Sequence, residues 1–187
     1  MKKPSTINTI PEAVDAIKSG EVIAYPTESC YGLGCDPNNL KAVEKIIALK
    51  SRSSNKGLIL IAASVDQAEQ YVDLKSSPFR DEILASWPGP NTWLLPPKEH
   101  VLPALRGEFP LLAIRVTAHP EAKRLCEAYG GAIVSTSANI SGTDSLVSAE
   151  SVIEVFTDFV KVVEGLIDAD KKPSTIRNGM TGDTLRK

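Results

Sequence analysis

The segment Leu58-Ile59-Leu60-Ile61-Ala62 is an unbroken apolar run of strand length, too short for a helix of its own. Strict alternation would mark a strand with one wet face. Continuity marks a strand covered on both faces, as in sheets that carry helices on either side. Segments of helical period flank the run. Leu40, Val43, Ile46 and Ile47 fall on one stripe of a helix over residues 39–49, and Ser64 with Gln67 three positions on has the capping-box pattern of a helix through about residue 71. The alternation extends along the chain. A helix is expected over 10–19, with Pro11 near its start and Gly20 at its end, then a strand over 22–25. A helix over 80–86 and a rigid turn at Trp87-Pro88-Gly89-Pro90 precede strands over 92–95 and 111–116. A helix over 120–129 stops at Gly130-Gly131, followed by a strand over 132–134. A helix over 148–159 and short strands over 160–163, 175–177 and 184–186 complete the expectation. No repeat or linker divides the chain, so residues 1–187 are read as a single α/β domain, a size that buries roughly 70% of its unfolded surface.

Charge narrows the partners. Lys and Arg total 21 against 23 acids, a net charge of −2, with a pI near 5.8. Bulk attraction to nucleic acid or anionic lipid is therefore absent, and any phosphate binding must be local. No run approaches the roughly 18 apolar residues of a membrane helix, so a soluble, cytoplasmic chain without membrane association is expected. Cys30, Cys35 and Cys126 are an odd count without metal-type spacing, and His100 and His119 are the only histidines. A disulfide scaffold or structural zinc site does not fit that pattern.

Chemistry concentrates at strand ends. The twelve residues from Pro26 to Pro37 place Thr27, Ser29, Cys30 and two glycines directly after an apolar run, and α/β folds keep ligands at such places. Across the next helix, Lys50, Arg52 and Lys56 arrive within seven positions without an acid. Lys50 reads either as a complement to a helix C-terminus with Arg52 solvated, or as one of two cations aimed at a polyphosphate. Arg115 lies inside Leu111-Leu112-Ala113-Ile114-Arg115-Val116, where it must find a partner, emerge at a cleft or stand on an edge strand. Ser135-Thr136-Ser137-Ala138-Asn139 follows a strand and supplies small donors and acceptors, for a ligand or for a turn. His119 before Pro120 reads as helix entry and Cys126 as core. The phosphate loop Gly-x-x-x-x-Gly-Lys-Ser/Thr, the Gly-x-Gly-x-x-Gly fingerprint, His-Glu-x-x-His and Gly-x-Ser-x-Gly do not occur. The residues alone reach an α/β domain with an anion-binding cleft built from strand-end loops.

Six segments in order resemble one family. They are Val22-Ile23-Ala24-Tyr25-Pro26-Thr27-Glu28 with Tyr31-Gly32-Leu33-Gly34, Lys50-x-Arg52, Trp87-Pro88-Gly89-Pro90-x-Thr92, Ala113-Ile114-Arg115-Val116, Ser137-Ala138-Asn139, and Pro173-Ser174-Thr175. On them the chain, from about residue 10 to 186, is similar to the YrdC/TsaC family of threonylcarbamoyl-AMP synthases in its short, single-domain form. The resemblance implies a twisted mixed sheet flanked by helices around a large positively charged cleft. It implies a nucleotidyltransferase that makes L-threonylcarbamoyladenylate and pyrophosphate from L-threonine, bicarbonate or CO2, and ATP with Mg2+. The product would serve the t6A modification of tRNA at position 37 through transferase partners of the TsaB, TsaD and TsaE type, with weak RNA contact at the cleft.

By the same resemblance Thr27, Arg115, Ser135 and Ser174 contact L-threonine, with Arg115 on its carboxylate. Lys50, Arg52, Lys56, Ser137, Asn139, Ser145 and Arg186 face ATP. No catalytic base and no metal ligand is named. Two departures stand out: Ser53-Ser54-Asn55-Lys56-Gly57 replaces the prolines and Asn-Pro pair of the longer form, and Ile61 stands where that form has a histidine beside threonine. Three other readings are a carbamoyl-adenylate-forming relative from hydrogenase maturation, an RNA-binding factor without chemistry, and a thiol hydrolase built on Cys30 and His119.

Overall fold

The computed structural model describes residues 6–7, 9–167 and 172–187. In chain order the strands and helices are β1 (Thr6–Ile7), α1 (Ile10–Lys18), β2 (Ile23–Pro26), β3 (Tyr31–Gly34), α2 (Leu40–Leu49), β4 (Ile59–Ala62), α3 (Val65–Glu69), α4 (Arg80–Ser86), β5 (Asn91–Leu95), β6 (Leu112–Val116), α5 (Pro120–Tyr129), β7 (Ile133–Ser137), α6 (Ala149–Phe156), β8 (Lys161–Val163), β9 (Thr175–Asn178) and β10 (Thr184–Arg186). Among the described residues the strands form one ten-stranded sheet in the order β1-β8-β2-β3-β7-β4-β6-β5-β9-β10. It is mixed: β4 runs parallel to β6 and antiparallel to β7, and β2 runs antiparallel to β3.

Burial on both faces follows from the strand period. Along β4, Leu60 and Ala62 belong to a core shared with Ala42, Val43 and Ile46 of α2, whereas Ile61 belongs to a second core with Ala13, Val14 and Ile17 of α1 and Leu125 and Cys126 of α5. On β2, Ala24 enters the first core, and Ile23 and Tyr25 the second. The continuous apolar run of the sequence is thus a strand sandwiched between helical layers.

The helix ends follow local chemistry. Thr9 caps α1 in a reciprocal pair with Glu12, and Asn39 caps α2 through Ala42 N–H. His119 caps α5, and Gly130 ends that helix in the left-handed region at φ 88. At α3 only half of the expected box forms: Ser64 Oγ accepts from Gln67 N, but Gln67 Oε1 accepts from Ala63 N and its Nε2 donates to Cys126 O. The helix then stops at Glu69 rather than Tyr71, as the chain turns to bury Tyr71 and Val72.

Two expectations near the site change. The stretch read as one loop from Pro26 contains β3, paired along its length with β2. Gly34 allows it: a Cβ there would stand 2.8 Å from Tyr25 Cε1 and 2.9 Å from Val134 O, so the ring of one strand lies where a side chain would be. The strand expected to end at Val134 runs on to Ser137, with Ser135 opposite Ile59 and Ser137 opposite Gly32. Its hydroxyls are therefore strand residues with fixed faces.

Candidate active site

The C-terminal ends of β2, β6 and β7, the loop over 52–57 and the segment 172–186 enclose a cavity of about 570 Å3. Thr27, Arg115, Ser135 and Ser174 line it, each less than a tenth exposed. Arg52, Lys56, Ser137, Ser145 and Arg186 line it as well, with Arg106 and Lys172 adding charge and Leu105, Phe109, Leu111 and Leu185 adding apolar surface.

The four residues implied for threonine are held by a dense set of hydrogen bonds. Tyr25 Oη donates to Ser135 Oγ at 2.8 Å, and burial pushes the Tyr25 phenol far above its usual range, so it remains a neutral donor. Thr27 closes its own loop, with N–H and Oγ1 both donating to Cys30 O at 3.0 and 2.7 Å. Ser174 Oγ lies 2.9 Å from Thr92 Oγ1, while Arg186 donates from Nε and Nη2 to Ser174 O. These contacts tie the strand-end hydroxyls to the sheet.

Arg115 finds its partner. Its Nη2 donates to Glu28 Oε2 at 3.1 Å, and Thr117 Oγ1 donates to Glu28 Oε1 at 2.9 Å. The pair is withdrawn from water, with side-chain exposures of 10% and 16%. Arg115 Nε is buried without a hydrogen-bond partner among the described residues. β6 lies between β4 and β5, so the edge-strand alternative for Arg115 does not hold.

The two cations of Lys50-x-Arg52 part company. Lys50 caps α2 and is 2% exposed, and it lies behind the cavity rather than on its lining. Its Nζ donates to Ser137 O, Asn139 O and Asn139 Oδ1. The ammonium thus grips the turn after β7. Asn139 is also off the lining, where its Oδ1 accepts from Ser137 Oγ at 2.7 Å. Burial, and then the charge of Arg52, push Lys50 down to about 8. Arg52 stays at the cavity, with Nη2 donating to Gly57 O at 2.7 Å. The loop over 53–57 turns through Lys56 N donating to Ser53 O and packs on Gly107, whose φ is 61 and whose Cβ would fall 2.3 Å from Asn55 O. That contact presents the exposed Lys56 to the cavity.

Other residues read earlier find their places. Ile61 is fully buried in the second core. His119 Nδ1 accepts from Ala122 N at the start of α5, so this histidine is helix-entry structure, and Cys126 is buried with it. Glu28 lies on the cavity lining too, and its partners are 87 and 89 residues away in sequence, beyond the reach of motif spacing. Among the described residues no group of three His, Cys, Asp or Glu could hold a metal ion, and no helix is long and apolar enough to cross a membrane.

Comparison with known proteins fits this geometry. A family model covering Sua5, YciO and YrdC, described as telomere recombination, matches residues 15–187. A protein of Chromohalobacter salexigens named threonylcarbamoyl-AMP synthase is 44% identical over 182 residues, 97% of this chain and 98% of its own. Another of that name, from Methylococcus capsulatus, is 47% identical over 178 residues, covering 93% and 94%. The crystal structure of P. abyssi Sua5 complexed with L-threonine superposes with a TM-score of 0.83 at 35% identity, over 90% of this chain and 50% of that one, so this chain spans about half of it. E. coli YciO shares the fold at a TM-score of 0.80 and 23% identity, over 95% and 90%. The chain belongs to the Sua5/YciO/YrdC family.

Proposed function

We propose that this protein is a threonylcarbamoyl-AMP synthase, an enzyme that joins L-threonine, bicarbonate or CO2, and ATP into L-threonylcarbamoyladenylate and releases pyrophosphate. One observation carries the reading: a single cavity is lined both by the buried hydroxyls of Thr27, Ser135 and Ser174 with Arg115 and by the cations Arg52, Lys56 and Arg186 with Ser137 and Ser145. The first set suits a small amino acid, the second a polyphosphate. Arg115 would take the threonine carboxylate, and Thr27, Ser135 and Ser174 its hydroxyl and amine. Arg52, Lys56, Ser137, Ser145 and Arg186 would take the nucleotide, with Lys50 and Asn139 shaping the turn that presents Ser137.

The chemistry asks the protein mainly for placement. The threonine amine captures CO2 as a carbamate, and the carbamate oxygen attacks the α-phosphorus of ATP while pyrophosphate leaves. Charge spreads over phosphoryl oxygens, so fixed cations and a short reach between carbamate and phosphorus supply the acceleration. Magnesium arrives with ATP as part of the substrate, since a phosphate chain with water satisfies its octahedral demand with few protein ligands. The adenylate would pass to a tRNA-modifying transferase of the TsaB, TsaD and TsaE type for t6A synthesis, and the cytoplasm is where those substrates meet.

Pyrophosphate release by the purified protein with MgATP, bicarbonate and each of several amino acids tests this reading. Release should depend on L-threonine, and L-serine should be poorer by about 10- to 200-fold, the range one methyl contact supports. Equal release without any amino acid, or preference for carbamoyl phosphate, would assign the site to carbamoyl-adenylate chemistry instead.

A further inference from the structure

Glu28 is the one acidic side chain on the cavity lining among the described residues, and the lining contains no histidine. It stands at the tight loop between β2 and β3, closed by Thr27 and Cys30. One carboxylate oxygen accepts from Thr117 Oγ1 and the other from Arg115 Nη2. Each oxygen of an ionised carboxylate has two acceptor positions, so both retain one after these bonds. Around the pair, Tyr25 senses both Glu28 and Arg115, and Arg186 and Cys126 sense Arg115.

An α-amino acid has its carboxylate and ammonium on neighbouring atoms of one carbon. A site that holds the carboxylate on Arg115 brings the ammonium within reach of the groups beside Arg115, and Glu28 is the acidic one on the lining. We infer that Glu28 receives the ammonium of the bound amino acid and acts as its proton acceptor for carbamate formation. The inference rests on the synthase reading and adds a catalytic base to it.

The step balances as follows. One proton passes from the ammonium to the Glu28 carboxylate, and the freed lone pair forms a bond to the carbon of CO2 as one C=O pair moves onto oxygen. The nitrogen, now bound to carboxylate carbon, releases a second proton to water and leaves a carbamate anion. When bicarbonate is the carbon source, its dehydration consumes one proton and yields CO2 and water. Glu28 returns its proton to solvent before the next turnover.

Glu28→Gln tests this, since it keeps the size and hydrogen-bonding capacity of the side chain and removes its basicity. With threonine and MgATP saturating, kcat at neutral pH should fall by about 100-fold or more. The deficit should shrink as pH rises and threonine arrives already deprotonated, while the KM for ATP stays near wild type. A residue that only positioned Arg115 would raise the threonine KM by the same factor at every pH. Glu28→Asp, which retains a carboxylate, should keep the wild-type shape of the pH profile at a reduced rate, and it covers the case of poor folding by the glutamine variant. A deficit in Glu28→Gln that is constant with pH, or no deficit, overturns the assignment while wild type still makes the adenylate. Failure of wild type to make it overturns the synthase reading itself.

Discussion

Lys50 Nζ donates to Asn139 O at 2.9 Å and to Asn139 Oδ1 at 2.8 Å, joining the end of α2 to the turn after β7. The return bond from Ser141 N to Lys50 O at 2.8 Å closes the joint from the other side. Lys50→Met keeps the apolar stem and removes the ammonium donor from Ser137 O, Asn139 O and Asn139 Oδ1. Loss of these bonds from a charged donor makes this a loss of about 2–4 kcal/mol, roughly 5–15 °C in melting temperature for a domain of this size. The KM for ATP should rise with it, because Ser137 loses its support. A wild-type melting temperature with an ATP defect alone would show instead that the ammonium faces the nucleotide.

The same lysine makes a pH prediction with two opposite signs. Its proton leaves near pH 8 in the folded chain, against 10.5 for an ordinary lysine. Between those values the unfolded chain holds a proton that the folded chain has released, so the contribution of this site to stability rises with pH across the window and is lowest below 8. The turn responds the other way, since a neutral amine has two N–H donors for three oxygens. The KM for ATP should therefore climb as pH passes 8, while the melting temperature of wild type gains on that of Lys50→Met. A pH-dependent ATP KM retained in Lys50→Met contradicts this.

Tyr25→Phe should weaken threonine use specifically. The phenol orients Ser135 Oγ at 2.8 Å and is otherwise enclosed by core. Its loss costs about 1 kcal/mol of stability and should raise the threonine KM several-fold, with ATP unaffected. Steady-state kinetics with each substrate varied in turn separates the two.

Arg186→Ala should affect both substrates. The guanidinium donates from Nε and Nη2 to Ser174 O at 3.0 and 2.9 Å, and it also lines the part of the cavity assigned to nucleotide. Threonine and ATP KM values are expected to rise together, with little change in melting temperature because the residue is exposed. Arg186→Lys should not restore them, since one ammonium cannot reproduce the planar fork.

Cys30→Ser should keep most of the activity. The substrate's own carbamate is the nucleophile, and His119, the base a thiol hydrolase would use, gives its Nδ1 to the Ala122 N–H. Near-total loss in a folded Cys30→Ser variant, with an adduct trapped on Cys30 in wild type, would contradict the noncovalent route.

How much was legible depends on sequence range. The run from Leu58, the stripe of α2 and the Gly130 stop after α5 are local patterns, and each became the expected element. β3 was hidden because Gly32 and Gly34 read as loop, whereas the space Gly34 leaves is taken by the ring of Tyr25 on the neighbouring strand and Gly32 packs under Thr27 Cγ2. Ser135 and Ser137 read as residues beyond a strand end, for a ligand or a turn, yet β3 and β4 on either side extend the ladder through them. Lys50 at a helix end reads as a complement to the helix C-terminus or as a cation aimed at a polyphosphate, and only the turn 87 residues later shows what it grips. The partnership of Glu28 with Arg115 is equally remote, so motif spacing names both residues and cannot pair them.

Mass spectrometry of the nucleotide product formed with carbon-labelled bicarbonate tests the central claim most directly. With ATP, magnesium and L-threonine, the account predicts one adenylate that contains both threonine and the label, appearing in step with pyrophosphate and absent when threonine is left out. An adenylate that carries label or carbamoyl without threonine, or pyrophosphate release with no threonine-containing adenylate, would contradict it.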